Sequence, residues 1–381
     1  MQKQSAFLLV LAAAVLLAVG IVMLFSTGAY APDSHGDEFN FLRKQSFWLG
    51  VGICGAFVCA FVDYHWWRKT WPVWLGLAVV LLVLCFVHPI GLRLNGSSRW
   101  VRAGSFTFQS SELAKLAAVI FIAWWFDRFE SESRTLLKGV LIPFLVVGVL
   151  LGLIAAETDL GTTVLIGLTV LIMMFVAGAS LRWLGLLICS GFAGLAVLAM
   201  RISERYGRLL AYLHPEQHQE SEGHQQFMGL IAFGSGGIDG LGLGNGRQKL
   251  LYLPYAHTDF IFPVIGEELG LRVTLLIVFC YLLILTGGIL ISLNARDRFG
   301  MLLGFGLTCL LSLQAAINVG VTTALLPNKG LPLPLISYGG SNLFLCLIGI
   351  GILINIFRQG KSDAERAGTG AVVRITHLSQ F

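Results

Sequence analysis

Ten apolar runs, each close to membrane-spanning length, follow one another along this chain: 6–25, 46–64, 72–88, 111–126, 139–155, 160–179, 184–200, 260–293, 301–320 and 341–357. A bilayer core about 30 Å thick is crossed by about 20 helical residues. Inside hydrocarbon the protein must satisfy each backbone N–H and C=O, so a spanning segment is a helix or part of a closed barrel. No strand-period alternation competes with these runs. The expected fold is therefore all-α: a polytopic integral membrane protein with about ten transmembrane helices. Hydrophobic residues make up 56% of the chain and charged residues 12%, whereas a soluble domain carries about 25% charged residues. Apolar residues extend over the whole length. One transmembrane domain, 1–357, is expected, with a tail, 358–381, too short for a core of its own.

Ala29-Tyr-Ala31 looks like a leader cleavage site, but the run before it is longer than a signal h-region and Pro32 follows the cut. A retained first helix is the better reading. The cysteines at 54, 59, 85, 189, 280, 309 and 346 all lie in apolar runs without disulfide or metal-ligand spacing, and read as small buried hydrophobes. Net charge is +5 with no basic run, which gives no footing for a nucleic-acid partner.

Orientation follows from Lys and Arg in short loops. With the N-terminus inside, the cytoplasmic segments hold thirteen such residues and the other side also holds thirteen. Five of the latter lie in the long loop 201–259, where the rule weakens, and Lys115 and Arg272 lie within spans. Setting those seven aside leaves six and puts both termini in the cytoplasm. The outer loops 26–45, 89–110, 156–159, 201–259 and 321–340 then carry the polar motifs.

Leu253 to Gly270 places three carboxylates, Asp259, Glu267 and Glu268, at the start of the eighth run. A charged side chain at mid-bilayer costs about 2.5–3.5 kcal/mol on insertion scales, so three so close together imply a use. Asp259 is either a helix N-cap or a reactive carboxylate. Asn95 to Gly104 is a basic, glycine-containing loop with Arg99 and the interfacial Trp100. It leads into Ser110-Ser111-Glu112-Leu-Ala-Lys115, where either serine suits an N-cap. Glu112 and Lys115, three apart, share a helix face: they form either a self-contained ion pair or a cation held inside the bundle for an anionic group. Glu157-Thr158-Asp159 offers a cap for the sixth helix or two acids for a cation. His214 and His218 lie in a polar stretch that reads as a solvated loop rather than a zinc site. Seven glycines fall between 234 and 246, followed by Arg247 and Lys249. This is neither a dinucleotide fingerprint nor a P-loop. It is a tight turn, or a cradle whose two cations meet phosphate. The loop from Pro327 to Ser341 supplies Lys329, Ser337 and Tyr338, groups suited to sugar hydroxyls and phosphate.

Taken together, R-W-x-x-x-G with Q-x-S-E-L-A-K, D-L-G-T, G-L-G-N-G-R-Q-K, L-P-x-A-H-T-D-F-I-F and P-L-I-S-Y-G-G-S resemble the SEDS family of cell-wall proteins (shape, elongation, division, sporulation), over nearly the whole chain. Gly266 and Lys329 look more like the division branch than the elongation branch. The resemblance implies a peptidoglycan glycosyltransferase that extends glycan strands from lipid II on the outer leaflet and releases undecaprenyl pyrophosphate. It implies a class B penicillin-binding transpeptidase and other division proteins as partners, and a place in the cytoplasmic membrane at the septum. It puts the family's essential acid on Asp259 and its embedded acid and lysine on Glu112 and Lys115. Glu112, Lys115, Arg99, Arg247, Lys249, Lys329, Ser337 and Tyr338 are expected at substrate, and Asp159, His257, Thr258, Glu267 and Glu268 in support. No cofactor is certain; a divalent cation, Mg or Mn, is left open. The chain departs from the family pattern at Tyr255, at Ser110, at Glu157-Thr158 in place of Gln-Pro, and at Asn342. Two rival readings are a lipid II flippase and a non-catalytic scaffold that activates its partner.

Overall fold

The computed structural model describes residues 2–28, 39–94, 97–103, 106–201, 223–250, 253 and 256–378. Tyr255 and the stretch with His214 and His218 lie outside them. Each expected run falls on a helix: α1 (Gln2–Gly28), α2 (Asn40–Phe61), α3 (His65–Leu84), α4 (Ser110–Arg128), α5 (Ile142–Ala156, entered through a π turn), α6 (Leu160–Val176), α7 (Leu181–Arg201), α9 (Ile261–Leu293), α10 (Arg298–Thr322) and α11 (Gly340–Leu378). A shorter helix, α8 (His224–Gly236), lies in the long loop. Among the described residues seven helices are long and apolar enough to cross a membrane, and Leu160–Val176 and Leu181–Gly191 are shorter apolar helices. The chain is a multi-pass, helical membrane protein.

The ion-bearing α4 sits at the centre, packed by α3, α5, α6, α10 and α11. Its residues from Ser110 to Ala123 are all buried. A helix apolar on every side belongs inside a bundle, and that is where the polar pair Glu112 and Lys115 is carried. Around it, α1 lies against α9 and α2 against α11. Glycines permit close crossing: a Cβ on Gly351 would strike Ala56 of α2, as small residues allow in membrane bundles.

Two features depart from the all-helical expectation. Three strands form an antiparallel sheet, β1 (Gly91–Leu94), β2 (Ser97–Ala103) and β3 (Phe106–Gln109), in the order β1-β2-β3. Trp100 pairs with Leu92 on one side and Gln109 on the other. Strands of four to seven residues offer too few alternations to stand out beside 20-residue runs. The sheet feeds directly into α4. Gln109 is the N-cap residue and makes no side-chain cap, so neither serine takes the expected capping role. The second feature is a break in α9: Gly270 has φ 75° and ψ −176°. That conformation is nearly closed to residues with a Cβ. It divides α9 into a short half, 261–269, and a long half, 271–293.

Candidate active site

Asp259 is the last residue but one before α9. The N-cap is Phe260, without a side-chain cap bond, so the capping reading of Asp259 does not hold. Its backbone carbonyl accepts from Asn318 Nδ2 of α10 at 2.8 Å, and the same amide donates to Leu331 O at 2.7 Å. Ser337 Oγ donates to Thr258 O at 2.6 Å and accepts from Leu333 N at 2.8 Å, while Tyr338 N donates to His257 O at 3.0 Å. The His257 ring lies 4.7 Å from Phe41, whose ring meets Tyr338 edge-on at 4.9 Å. Gln45 of α2 donates to Ser337 O and accepts from Gly339 N, both at 3.2 Å. Two irregular loops, 256–260 and 331–339, are thereby fixed as one piece. The carboxylate side faces Gly330, where a Cβ would collide with Asp259 Oδ2.

Arg99, on β2, and Asp159 stand within electrostatic reach of Asp259. Burial raises the Asp259 carboxyl most, Arg99 pulls it down and Asp159 pushes it up, with the result at about 6. Arg99 Nη1 lies 3.7 Å from Asp159 Oδ2. Its Nε has no hydrogen-bond partner among the described residues, which leaves this cation with donor capacity for an anion. Asp159 accepts from Thr162 N at 3.1 Å and from Thr162 Oγ1 at 2.9 Å; it caps α6 and also holds Arg99. Glu157 meets Ser110 Oγ at 3.5 Å, and burial pushes it up to about 8. Lys329 packs its stem near Gly161 at the start of α6, next to the Gly330 that faces Asp259.

A second group lies deeper on α4. Lys115 Nζ is 2.8 Å from Glu112 Oε2 and donates to Gln314 Oε1 at 2.8 Å. Asn342 Nδ2 donates to both Glu112 oxygens at 3.2 and 3.1 Å. Gln314 Nε2 continues to Pro332 O at 2.8 Å. A cavity of about 20 Å³ opens beside the pair, walled by Leu307, Leu311, Cys346 and Gly349. That is room for about one water. Gln314 and Asn318 are four residues apart on one face of α10, about 6 Å along the helix. They link the Lys115 group to the Asp259 loop.

The remaining acids and cations form a third group. Lys249 Nζ is 2.7 Å from Glu268 Oε1 and donates to Ser26 Oγ at 2.8 Å; Ser26 Oγ donates to Glu268 Oε2 at 2.7 Å. Lys249 is 2% exposed and Glu268 0%. Its ammonium is held in the scaffold, whereas the expectation had it at substrate phosphate. Glu267 accepts from Arg247 N at 2.9 Å and from Gln248 N at 3.2 Å. The Arg247 side chain is exposed. No group of three or more His, Cys, Asp or Glu stands ready for a metal among the described residues. Asp159 is already engaged by Thr162 and Arg99, so it and Glu157 do not make a vacant ligand pair.

Gln45, Gln314, Asn318 and Ser26 were not singled out in the sequence, and Asn342 stood out there only as a departure from the family pattern. One signal was available: Gln314 and Asn318 are polar residues at i and i+4 in an otherwise apolar run.

A family model described as "Cell cycle protein", covering FtsW, RodA and SpoVE, matches residues 6–362. The chain belongs to this FtsW/RodA/SpoVE family. A probable peptidoglycan glycosyltransferase FtsW from Geobacter metallireducens is 38% identical over 355 residues, 93% of this chain and 94% of that protein. Stage V sporulation protein E of Bacillus subtilis is 37% identical over 359 residues, 93% of this chain and 97% of that protein. A chain of a solved peptidoglycan synthase complex superposes with a TM-score of 0.75 at 28% identity, covering 92% of this chain and 97% of that one. Thermus thermophilus RodA gives 0.68 at 28% identity, with 92% and 95% covered. The expected family and polytopic helical fold are borne out.

Proposed function

We propose that this family member is a peptidoglycan glycosyltransferase that polymerises lipid II at the outer face of the cytoplasmic membrane during septal wall synthesis. Both termini lie in the cytoplasm, the ten helices cross the bilayer, and a class B penicillin-binding transpeptidase and other division proteins are its partners. The observation that carries the reading is Asp259: a carboxylate freed from capping, fixed through its backbone, and poised at about 6. A general base works best with its pKa near the operating pH.

Asp259 takes the proton from the 4-hydroxyl of the acceptor's GlcNAc. The oxygen attacks the anomeric carbon of the lipid-linked MurNAc of the growing chain. The bond to pyrophosphate breaks with inversion, and undecaprenyl pyrophosphate leaves. Arg99 and Lys329, flanking Asp259, stabilise the charge that grows on the leaving group. Ser337 and His257 keep the two loops in register, and the Lys115 group supports them from below through Gln314. The test is gel analysis of products from the purified chain, lipid II and a candidate transpeptidase. Long glycan strands are expected. Lipid II translocation in liposomes without polymer would replace this reading with a flippase.

A further inference from the structure

Eight backbone N–H groups of the glycine-rich segment 237–250 find partners within the protein. Gly240 N bonds Gly236 O; Leu241 N and Gly242 N bond the carbonyls of Glu267 and Glu268; Asn245 N bonds Gly242 O; Leu250 N bonds Arg247 O. Gly244 N bonds Glu268 Oε2, and Arg247 N and Gln248 N bond the Glu267 carboxylate. In return, Leu271 N bonds Gly237 O. Buried side chains and helix carbonyls thus take the place of water. Irregular backbone at membrane depth requires this.

Lys249 turns inward to Glu268, and Asp239, Asn245 and Arg247 are exposed polar groups, but four apolar side chains of the segment point outward. Ile238 (60% exposed), Leu241, Leu243 (48%) and Leu250 are exposed. They sit beside the break in α9. Directly below it Leu271, Leu275, Leu276 and Phe279 are exposed on the long half of that helix, which faces lipid. That half, 271–293, is about 34 Å long at 1.5 Å per residue, enough to cross the bilayer core alone. Its top therefore marks the boundary of the hydrocarbon. The exposed Asp239–Arg272 ion pair, 2.7 Å long, lies at this same level, as charged groups do at headgroup depth.

We propose that segment 237–250 is seated in the boundary layer of the membrane, with Ile238, Leu241, Leu243 and Leu250 against lipid acyl chains. The seat is continuous with the lipid-facing side of α9. Through Glu267, Glu268 and Ser26 it ties the short half of α9, and the Asp259 that precedes it, to a fixed depth. This goes beyond the proposed reaction and names the surface that sets where the reaction occurs.

The full chain carrying Cys54→Ala and Cys189→Ala, the two exposed cysteines, is reconstituted in liposomes. Spin labels are attached at Ile238→Cys, Leu241→Cys, Leu243→Cys and Leu250→Cys, one at a time. Collision with oxygen and with an aqueous nickel chelate is compared with labels at Leu275→Cys in the lipid belt and Glu130→Cys in water. The expected result is an oxygen-to-nickel ratio several-fold above that of position 130 and approaching that of 275 at three or more sites. Nickel-dominated collision would overturn the proposal, as would shielding from both reagents, which would mean that protein covers the face. The ratio does not depend on which face of the membrane the loop occupies or on whether the chain makes polymer, so it is separable from the proposed topology and reaction.

Discussion

At Asp259, burial and the negative Asp159 favour the protonated form while Arg99 opposes them. The base must be ionised to act, so the rate should fall as pH drops through about 6. Arg99→Leu removes the charge that lowers the carboxyl and should move this acid limb to higher pH. Asp159→Asn keeps a capping side chain but removes the charge that raises it, and should move the limb lower. Initial polymerisation rates between about pH 4.5 and 8, bracketing the general-base range, check both signs. A limb that both variants leave unmoved would dissociate it from Asp259. At Glu157 burial outweighs the pull of Arg99. Pushed up to about 8 by burial, this carboxyl carries a proton at neutral pH and then has the shape and bonding of a glutamine. Glu157→Gln should therefore leave neutral-pH activity within about twofold and thermal stability within about 0.5 kcal/mol, the range of a benign substitution. A larger loss in either assay would show that the ionised form matters. The following Thr158 has φ 65°, a conformation costly for a β-branched residue and barred to proline.

At the level of helices, α4 brings an ion pair into the centre of the bundle, and α3, α5, α6, α10 and α11 pack around it. Removing one partner of a buried pair costs about 3–5 kcal/mol, whereas replacing both with apolar groups of similar size is often neutral. Glu112→Gln with Lys115→Met should therefore fold, with a melting temperature near the parent's, and yet fail to polymerise lipid II. A folded and fully active double variant would make the pair purely structural. The helices and the Glu112–Lys115 spacing were legible in the sequence, because 20-residue apolar runs and i, i+3 pairs are local. The sheet was not, since its strands are only four to seven residues long. Nor was the break at Gly270. Its cause lies about 30 residues upstream, where Ile238 O would meet any Cβ placed on Gly270. Lys249 was misplaced for a related reason: next to Arg247 it reads as one of two phosphate-binding cations, and only the fold shows Glu268 and Ser26 closing around it.

Across the whole molecule, the motifs separated most widely in sequence come together on one face. β2 supplies Arg99, the turn before α6 supplies Asp159, the turn before α9 supplies Asp259, and the loop before α11 supplies Lys329 and Gly330. Their convergence was legible only through the family resemblance; the residues that enforce it, Gln45, Gln314 and Asn318, are ordinary polar side chains without a motif. The topology proposed from loop charges puts this face outside the cytoplasmic membrane. A cysteine at position 220 should then react with an impermeant reagent in intact cells, and labelling only after permeabilisation would invert the molecule. The central claim is that Asp259 is the base. Asp259→Asn preserves size but cannot accept the proton, and general-base catalysis contributes about 10²–10⁴-fold. The decisive measurement is the rate of glycan-strand formation from lipid II by the Asp259→Asn protein, matched to the parent for expression and partner binding. A loss of about 10²-fold or more is predicted; strands formed at the parental rate would contradict the account.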